Sequence, residues 1–171
     1  DVFCLPCTPT PDWQRALDFA GSFGKIPLYL YVPHSSSKTE NELQETGRFA
    51  VIDGYAATGV TSRLFPKAPQ VSLPNTASMA ELYDQLRYKK ADVVVSDSIS
   101  ALNYSRGNPG TIRRLNDIPL VVNAVSFPIR KGDPAWMQFM NELTDTTAPN
   151  NQTLFKALLE KYSLGDGALV P

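Results

Sequence analysis

Residues 48–104 set the pattern for the chain: short runs that are apolar at every position alternate with polar breaks and with segments of helical period. Phe49 to Ile52 is one such run, Asp53-Gly54 interrupts it, and a short helix can begin at Ala56. Val93-Val94-Val95 is another, followed by the polar Ser96-Asp97-Ser98 as a turn into a further helix. Runs apolar on every residue suit strands covered on both faces, as in a parallel sheet flanked by helices. Between them, Met79, Leu82, Tyr83 and Leu86 fall at i, i+3, i+4 and i+7, one stripe of a helix facing a core. Ser78 and Glu81 have the spacing of a capping box at its start. The segment predicts an α/β unit whose strand ends carry polar turns.

The flanks extend the same grammar. Residues 8–24 read as a Thr/Pro-rich turn and a short segment, and residues 28–32 (LYLYV) as a strand ended by Pro33. The polar residues 34–46 predict an exposed loop. Gln70 to Leu73 is a strand before the long helix, and residues 106–110 form a strong turn. Residues 111–115 and 120–129 look extended, with Pro128 limiting the pairing of the second. Asp133 and Pro134 start a helix well, with Trp136, Met137, Met140 and Leu143 as its apolar stripe. Pro149-Asn150-Asn151 predicts a break before a last helix striped by Leu154, Phe155, Leu158, Leu159 and Tyr162. Core packing accounts for these aromatic and methionine positions without a cofactor.

Composition narrows the class. The 171 residues carry a net charge of −1 and 43% hydrophobic content, which suits one soluble domain or two small lobes. No run approaches the roughly 20 apolar residues of a membrane helix. Near-neutral charge without a basic stripe argues against nucleic acid. Fourteen prolines keep the elements short. No leader-like stretch opens at Asp1, which reads as a mature chain or a piece of one.

Candidate chemistry lies at the strand ends, because ligands of open α/β sheets gather outside the carboxyl ends of strands. Gly54, Tyr55, Ala56 and Ala57 would place helix N-terminal N–H groups there, suited to an anion. Asp97 would sit at the matching edge, suited to a cation or hydroxyl, though its spacing suits a plain helix cap better. Cys4 and Cys7 form a C-x-x-C after a strand-like start and before a helix, the layout of thiol–disulfide exchange. The plainer alternative is one structural thiol and one bystander. Two cysteines and a distant His34 make no zinc site. His34 beside Ser35 to Ser37 lacks the elbow and orienting acid of a hydrolase. The glycosylation-type triplets at Asn103 and Asn151 are read as chance.

The ordered segments resemble a family. DVFCLPCTPTPDWQRALDF is similar to the opening "DV-x-C … T-x-x-R … V-D-F-S" passage of extracellular solute-binding proteins, the type II periplasmic binding proteins of polar amino-acid ABC transporters. PLYLYVP resembles their first crossing strand and RFAVIDGYAATG the strand–glycine–helix opening their second lobe. KKADVVVSDSISALNY resembles their "G-x-x-D-A-x-x-x-D-x-x-x-x-x-Y" signature. FPIRKGDPAWMQFMNEL and LFKALLEKYSLG resemble the return strand with its "R-K-G-D-P" helix and the closing helix.

The resemblance implies an α/β, periplasmic-binding-protein-like fold: one complete three-layer lobe over residues 33–122, and a partial lobe from residues 1–32 and 123–171. Roughly another third of the family's fold, the opening strands and helices of the first lobe, would precede Asp1. It implies a binding protein, not an enzyme, that captures a small polar, amino-acid-like solute in an interlobe cleft without cofactor or metal. The solute would be handed to ABC-transporter membrane subunits in the periplasm or at the cell surface. Asp97 matches the residue that holds a ligand amino group and Thr8 a first-lobe hydroxyl, while Tyr55 and Ala56 lie at the second-lobe helix start. The usual threonine there is Ala56, and the usual clamping arginine falls on Trp13, which removes a bidentate carboxylate contact and offers a flat face for a cation. Alternatives on the same fold are a cyclohexadienyl dehydratase-like enzyme with Asp97 as general acid, or a degenerate member without ligand. An incomplete first lobe further implies a cover for its apolar face, such as a homodimer formed by exchange of elements.

Overall fold

The computed structural model describes residues 7–163, and Cys4, Val2 and Phe3 lie outside them. The elements in order are α1 (Pro11–Ala16), β1 (Leu17–Phe19), β2 (Gly24–Pro33), α2 (Glu40–Thr46), β3 (Phe49–Ile52), α3 (Ala56–Leu64) and β4 (Gln70–Leu73). There follow α4 (Met79–Arg87), β5 (Val93–Asp97), α5 (Ser98–Gly107), β6 (Ile112–Arg114), β7 (Val121–Val125), β8 (Pro128–Arg130) and α6 (Pro134–Lys161). They fall into two compact units, Leu28–Val121 and a unit made of Asp1–Pro27 with Val122–Pro171. Among the described residues no helix is long and apolar enough to cross a membrane.

Leu28–Val121 is built on a sheet in the order β4-β3-β5-β2-β6. β3 pairs in parallel with β4 and β5, and β2 runs antiparallel to β5 and β6. Successive side chains of a strand point to opposite faces. Tyr29, Tyr31, Ala50, Ile52 and Val94 share one face with Leu82, Tyr83 and Leu86 of α4 and Ala101 and Tyr104 of α5. The alternate residues Leu30, Val32, Phe49, Val51, Val93 and Val95 are also buried, and Phe49 stacks on Phe65 at 4.6 Å. Burial on both faces is why these strands are apolar at every position. α4 opens on the Ser78–Glu81 capping box, and the Tyr104 hydroxyl ties α5 to it by donating to Asp84 at 2.8 Å.

The loop expected over residues 34–46 is half helix. Thr39 and Glu42 form a second capping box for α2, whose one buried residue is Leu43. A seven-residue helix with a single inward residue has no periodic stripe to read. Gly47 closes it against β3, since a Cβ there would lie 2.5 Å from the Leu43 carbonyl oxygen.

In the other unit β1 pairs antiparallel with β8, Leu17 facing Arg130 and Phe19 facing Pro128. The start of α6 packs on this pair. Ala20, Ile129 and Met140 form its core, with Phe127, Trp136 and Met137 against them. Leu143, expected on the buried stripe, points outward, and Thr144 takes the inward place. The helix meets the chain at Gly21, whose N–H donates to Asn141 Oδ1 at 2.6 Å. Thr144 is buried at no polar cost because its hydroxyl donates to the Met140 carbonyl at 2.7 Å.

The break expected at Pro149 is absent: α6 is one helix of 28 residues. Proline's own φ is compatible with a helix, and its missing N–H removes one hydrogen bond of the helix there. Of the stripe expected to be core after it, Leu154 at 53%, Leu158 and Tyr162 at 54% are exposed. At 1.5 Å per residue the helix reaches roughly 42 Å, whereas the three-residue strands beneath it span about 10 Å. Its far half runs past them.

At the amino edge of the sheet of Leu28–Val121, one carboxylate joins three chain segments. Asp92 accepts from Lys38 Nζ at 3.0 Å, from Arg48 Nε at 2.9 Å and from the Arg48 backbone N–H at 3.0 Å. Burial alone would push this carboxyl up, but the hydrogen bonds from Arg48 and Lys38 outweigh it and hold it at about 2. A carboxyl depressed below its unfolded value of about 4 contributes its full stability above that value and loses it as pH falls toward 2. Lys38 and Arg48 are nearly half exposed, so solvent screening leaves about 1 kcal/mol. Asp92→Asn is therefore expected to lower stability by about 1 kcal/mol in urea unfolding at pH 7. Parent and variant should converge near pH 2, and a gap that persists there would assign the loss to packing.

Candidate functional site

Because β3, β4 and β5 are parallel, their carboxyl ends open on one edge of the sheet. Phe49 lies opposite Val93 and Ala50 opposite Val94, and the same register carried forward sets Asp53 level with Asp97. Adjacent strands are about 4.8 Å apart. Two aspartates thus end two neighbouring strands. The sequence held that signal in the parallel runs FAVI-Asp53 and VVVS-Asp97, and only the second was singled out. Asp53 accepts a short hydrogen bond from the Ser72 hydroxyl of β4, and its N–H donates to Leu73 O at 3.0 Å.

Gly54 turns the chain from β3 into α3 at φ +82°, in the left-handed region where glycine costs nothing. Tyr55 is the N-cap of α3 and makes no side-chain cap hydrogen bond. Thr58 Oγ1 donates to the Ile52 carbonyl at 2.6 Å, fastening the first turn to the end of β3. The N-terminus of this nine-residue helix therefore opens at the edge without a capping side chain, flanked by a Tyr55 ring that is 45% exposed. Ala56, its first residue, is half-buried.

Asp97 ends β5 and caps α5 with no loop between them. Oδ1 accepts from the Ser100 N–H at 2.8 Å and Oδ2 from the Ser100 hydroxyl at 2.8 Å. A carboxylate has about four acceptor positions, so capping occupies roughly half of them. Behind it, Tyr31 donates to the Ser98 hydroxyl at 3.4 Å. The Ser96 and Tyr83 hydroxyls are buried in the core beneath and make no hydrogen bond of ordinary geometry. Burial raises the Tyr83 phenol strongly, which keeps it neutral.

The structure thus brings Asp97, Tyr55 and Ala56 to one edge of Leu28–Val121. Thr8 and Trp13 belong to the other unit. Thr8 is half-buried and follows Cys7, whose backbone exchanges hydrogen bonds with Ser126 at 3.0 and 2.9 Å. Trp13 lies on α1, 47% exposed, outside the core of Ala20, Ile129 and Met140. Thr10 caps that short helix, accepting from the Trp13 N–H at 3.3 Å. Burial pushes the Cys7 thiol up, the reverse of what exchange chemistry needs, and α1 begins only at Pro11.

No protein-family model matches the chain, and no curated protein matches it by sequence. Solved structures do. The cysteine-binding protein from Campylobacter jejuni superposes with a TM-score of 0.75 at 18% identity, over 100% of this chain and 69% of that one. The substrate-binding protein of an amino acid ABC transporter gives 0.70 at 16% identity, over 91% and 67%. The ancestral amino acid-binding protein AncCDT-1, a precursor of cyclohexadienyl dehydratase, gives 0.68 at 21% identity, over 91% and 65%. At these identities the likeness establishes fold: the chain has the α/β, type II periplasmic-binding-protein-like architecture and spans about two thirds of such proteins' length.

Capping and ligand binding by Asp97 are separable by substitution. Asp97→Ala should destabilise the protein by about 1 kcal/mol in urea unfolding, whereas Asp97→Asn, an equally good cap, should stay within a few tenths. Equal losses would place the carboxylate's role elsewhere than in the α5 cap.

Proposed function

We propose that this chain is an extracellular solute-binding protein, periplasmic or at the cell surface, that captures a small polar, amino-acid-like solute for an ABC transporter. The observation that carries this reading is the pairing, at one sheet edge, of an aspartate with unused acceptor positions and a helix N-terminus that no side chain caps. The first suits an ammonium group and the second an anion. A zwitterion presents both. In this reading Asp97 holds the amino group, and the N–H groups at Ala56 receive the carboxylate. The Tyr55 ring shields them. The superposed structures include a cysteine-binding protein and the substrate-binding protein of an amino acid ABC transporter, which supports the same solute class.

In this reading Trp13 takes the sequence position of the clamping arginine in the family that the chain resembles. The remaining anion contacts are backbone dipoles, so affinity for simple carboxylates is modest and flat or cationic side groups gain from the indole face. A dehydratase-like activity has one supporting observation, the likeness to a dehydratase precursor. It needs a side chain that delivers a proton to a departing hydroxyl. Both oxygens of Asp97 accept hydrogen bonds instead, which favours binding over chemistry.

Calorimetry against a panel of amino acids and amines tests the proposal. Asp97→Asn, which keeps the cap, should lower affinity for the parent's solute by at least about tenfold, the loss typical of one charge-assisted contact. Unchanged affinity would overturn the assignment of Asp97. In the same panel Trp13→Arg should raise affinity for carboxylate-bearing solutes, and a fall would remove Trp13 from the site.

A further inference from the structure

The edge of the Leu28–Val121 sheet opposite the candidate site carries a surface that solute capture does not use. Four strands receive a cation at this amino edge from the loop or helix end that precedes them. Lys67 precedes β4, Arg48 precedes β3, Lys89 and Lys90 precede β5, and Arg106 closes the helix before β6. Hydrogen bonds knit these loops into one edge. The Pro69 carbonyl accepts from the Phe49 N–H at 2.8 Å, and Arg48 Nη2 donates to the Lys89 carbonyl at 3.0 Å. Arg87, in the last turn of α4, reaches Asn108 of the α5–β6 loop at 3.0 Å.

The acids nearby do not balance the edge. Asp92 is shared by Lys38 and Arg48, Asp84 is engaged by the Tyr104 hydroxyl, and Glu45 stands exposed at the end of α2. Cations in the last turn of a helix complement its dipole, which explains Arg87 and Arg106. Lys67, Lys89 and Lys90 lie two or three residues past the last helical residue, where that effect fades. Lys89 even sits at φ +57°, a left-handed position after α4 where glycine or asparagine would rest without strain. Beside it Tyr88 is 59% exposed, with the Arg87 guanidinium 5.5 Å from its ring centroid.

We propose that this edge docks on an anionic lipid surface, with Lys67, Lys89 and Lys90 meeting lipid phosphates and Tyr88 at head-group level. The cations come from separate loops arrayed along one sheet edge, so they form a row rather than converge on a single anion. A row matches a plane of charge. An exposed tyrosine set among lysines matches the interfacial zone where aromatic rings with a polar tip settle. Each lysine near such a surface strengthens binding about fivefold at moderate salt.

Vesicle flotation of the full chain tests the docking. Vesicles of phosphatidylglycerol and phosphatidylcholine should carry the protein at low salt, pure phosphatidylcholine should not, and salt should release it. Lys67→Glu, Lys89→Glu and Lys90→Glu together should cut the partition by about a hundredfold or more. The same reversals at Lys25, Lys156 and Lys161, exposed on the other unit, change net charge equally and should leave most of the binding. Circular dichroism of each variant confirms the fold. No binding to the anionic vesicles, an equal loss in both triple variants, or retention on poly-glutamate beads without vesicle binding would each overturn the proposal; the last would assign the edge to an acidic protein.

Discussion

Everything in the larger unit depends on the parallel pairing of β3 with β4 and β5. Two parallel neighbours cannot be joined by a hairpin, so the chain must return through a helix each time. That single requirement buries the strands on both faces, since the returning helices have to lie somewhere. It also sorts the polar residues. Strand ends and helix beginnings collect at one edge, strand beginnings and helix ends at the other. Asp53, Asp97 and the α3 N-terminus are found together for the same reason that Lys67, Lys89 and Lys90 are.

This sorting explains which parts were legible in the sequence. The runs at Phe49 and Val93 and the stripe of α4 repeat a period, and a period survives without knowledge of neighbours. So do paired caps, and Asp133-Pro134 begins α6 as its chemistry requires. What was not legible depends on distant partners. Leu143 and Thr144 exchange roles because α6 meets Gly21, more than a hundred residues earlier. Nothing local marks a threonine for burial until its hydroxyl finds the carbonyl one turn back. The Thr39–Glu42 box was present in the chain but had no apolar stripe behind it to announce a helix. Pro149, read as a stop, shows that proline costs a helix a bond more certainly than it ends one.

The candidate site divides the same way. Asp97 was recognisable as a residue at a strand end, and both of its readings describe the same atoms: a carboxylate that caps α5 is oriented by the cap, and orientation is what a ligand contact needs. The missing cap on α3 was invisible, because it is the lack of a hydrogen bond from Tyr55 rather than a residue type. The second aspartate, Asp53, carries no mark of its own in the sequence, since Asp53-Gly54 reads simply as a turn.

Asp92 has a consequence for how this chain can vary. Three segments, those at Lys38, Arg48 and Lys89, are held through one carboxylate or through a cation bound to it. Substitutions at such positions do not add, because each alters what remains for the others to lose. Exchange of Lys38 costs little while Arg48 still neutralises Asp92, and more once it does not. Drift at this corner is therefore epistatic: which replacement is tolerated depends on the order in which replacements arrive.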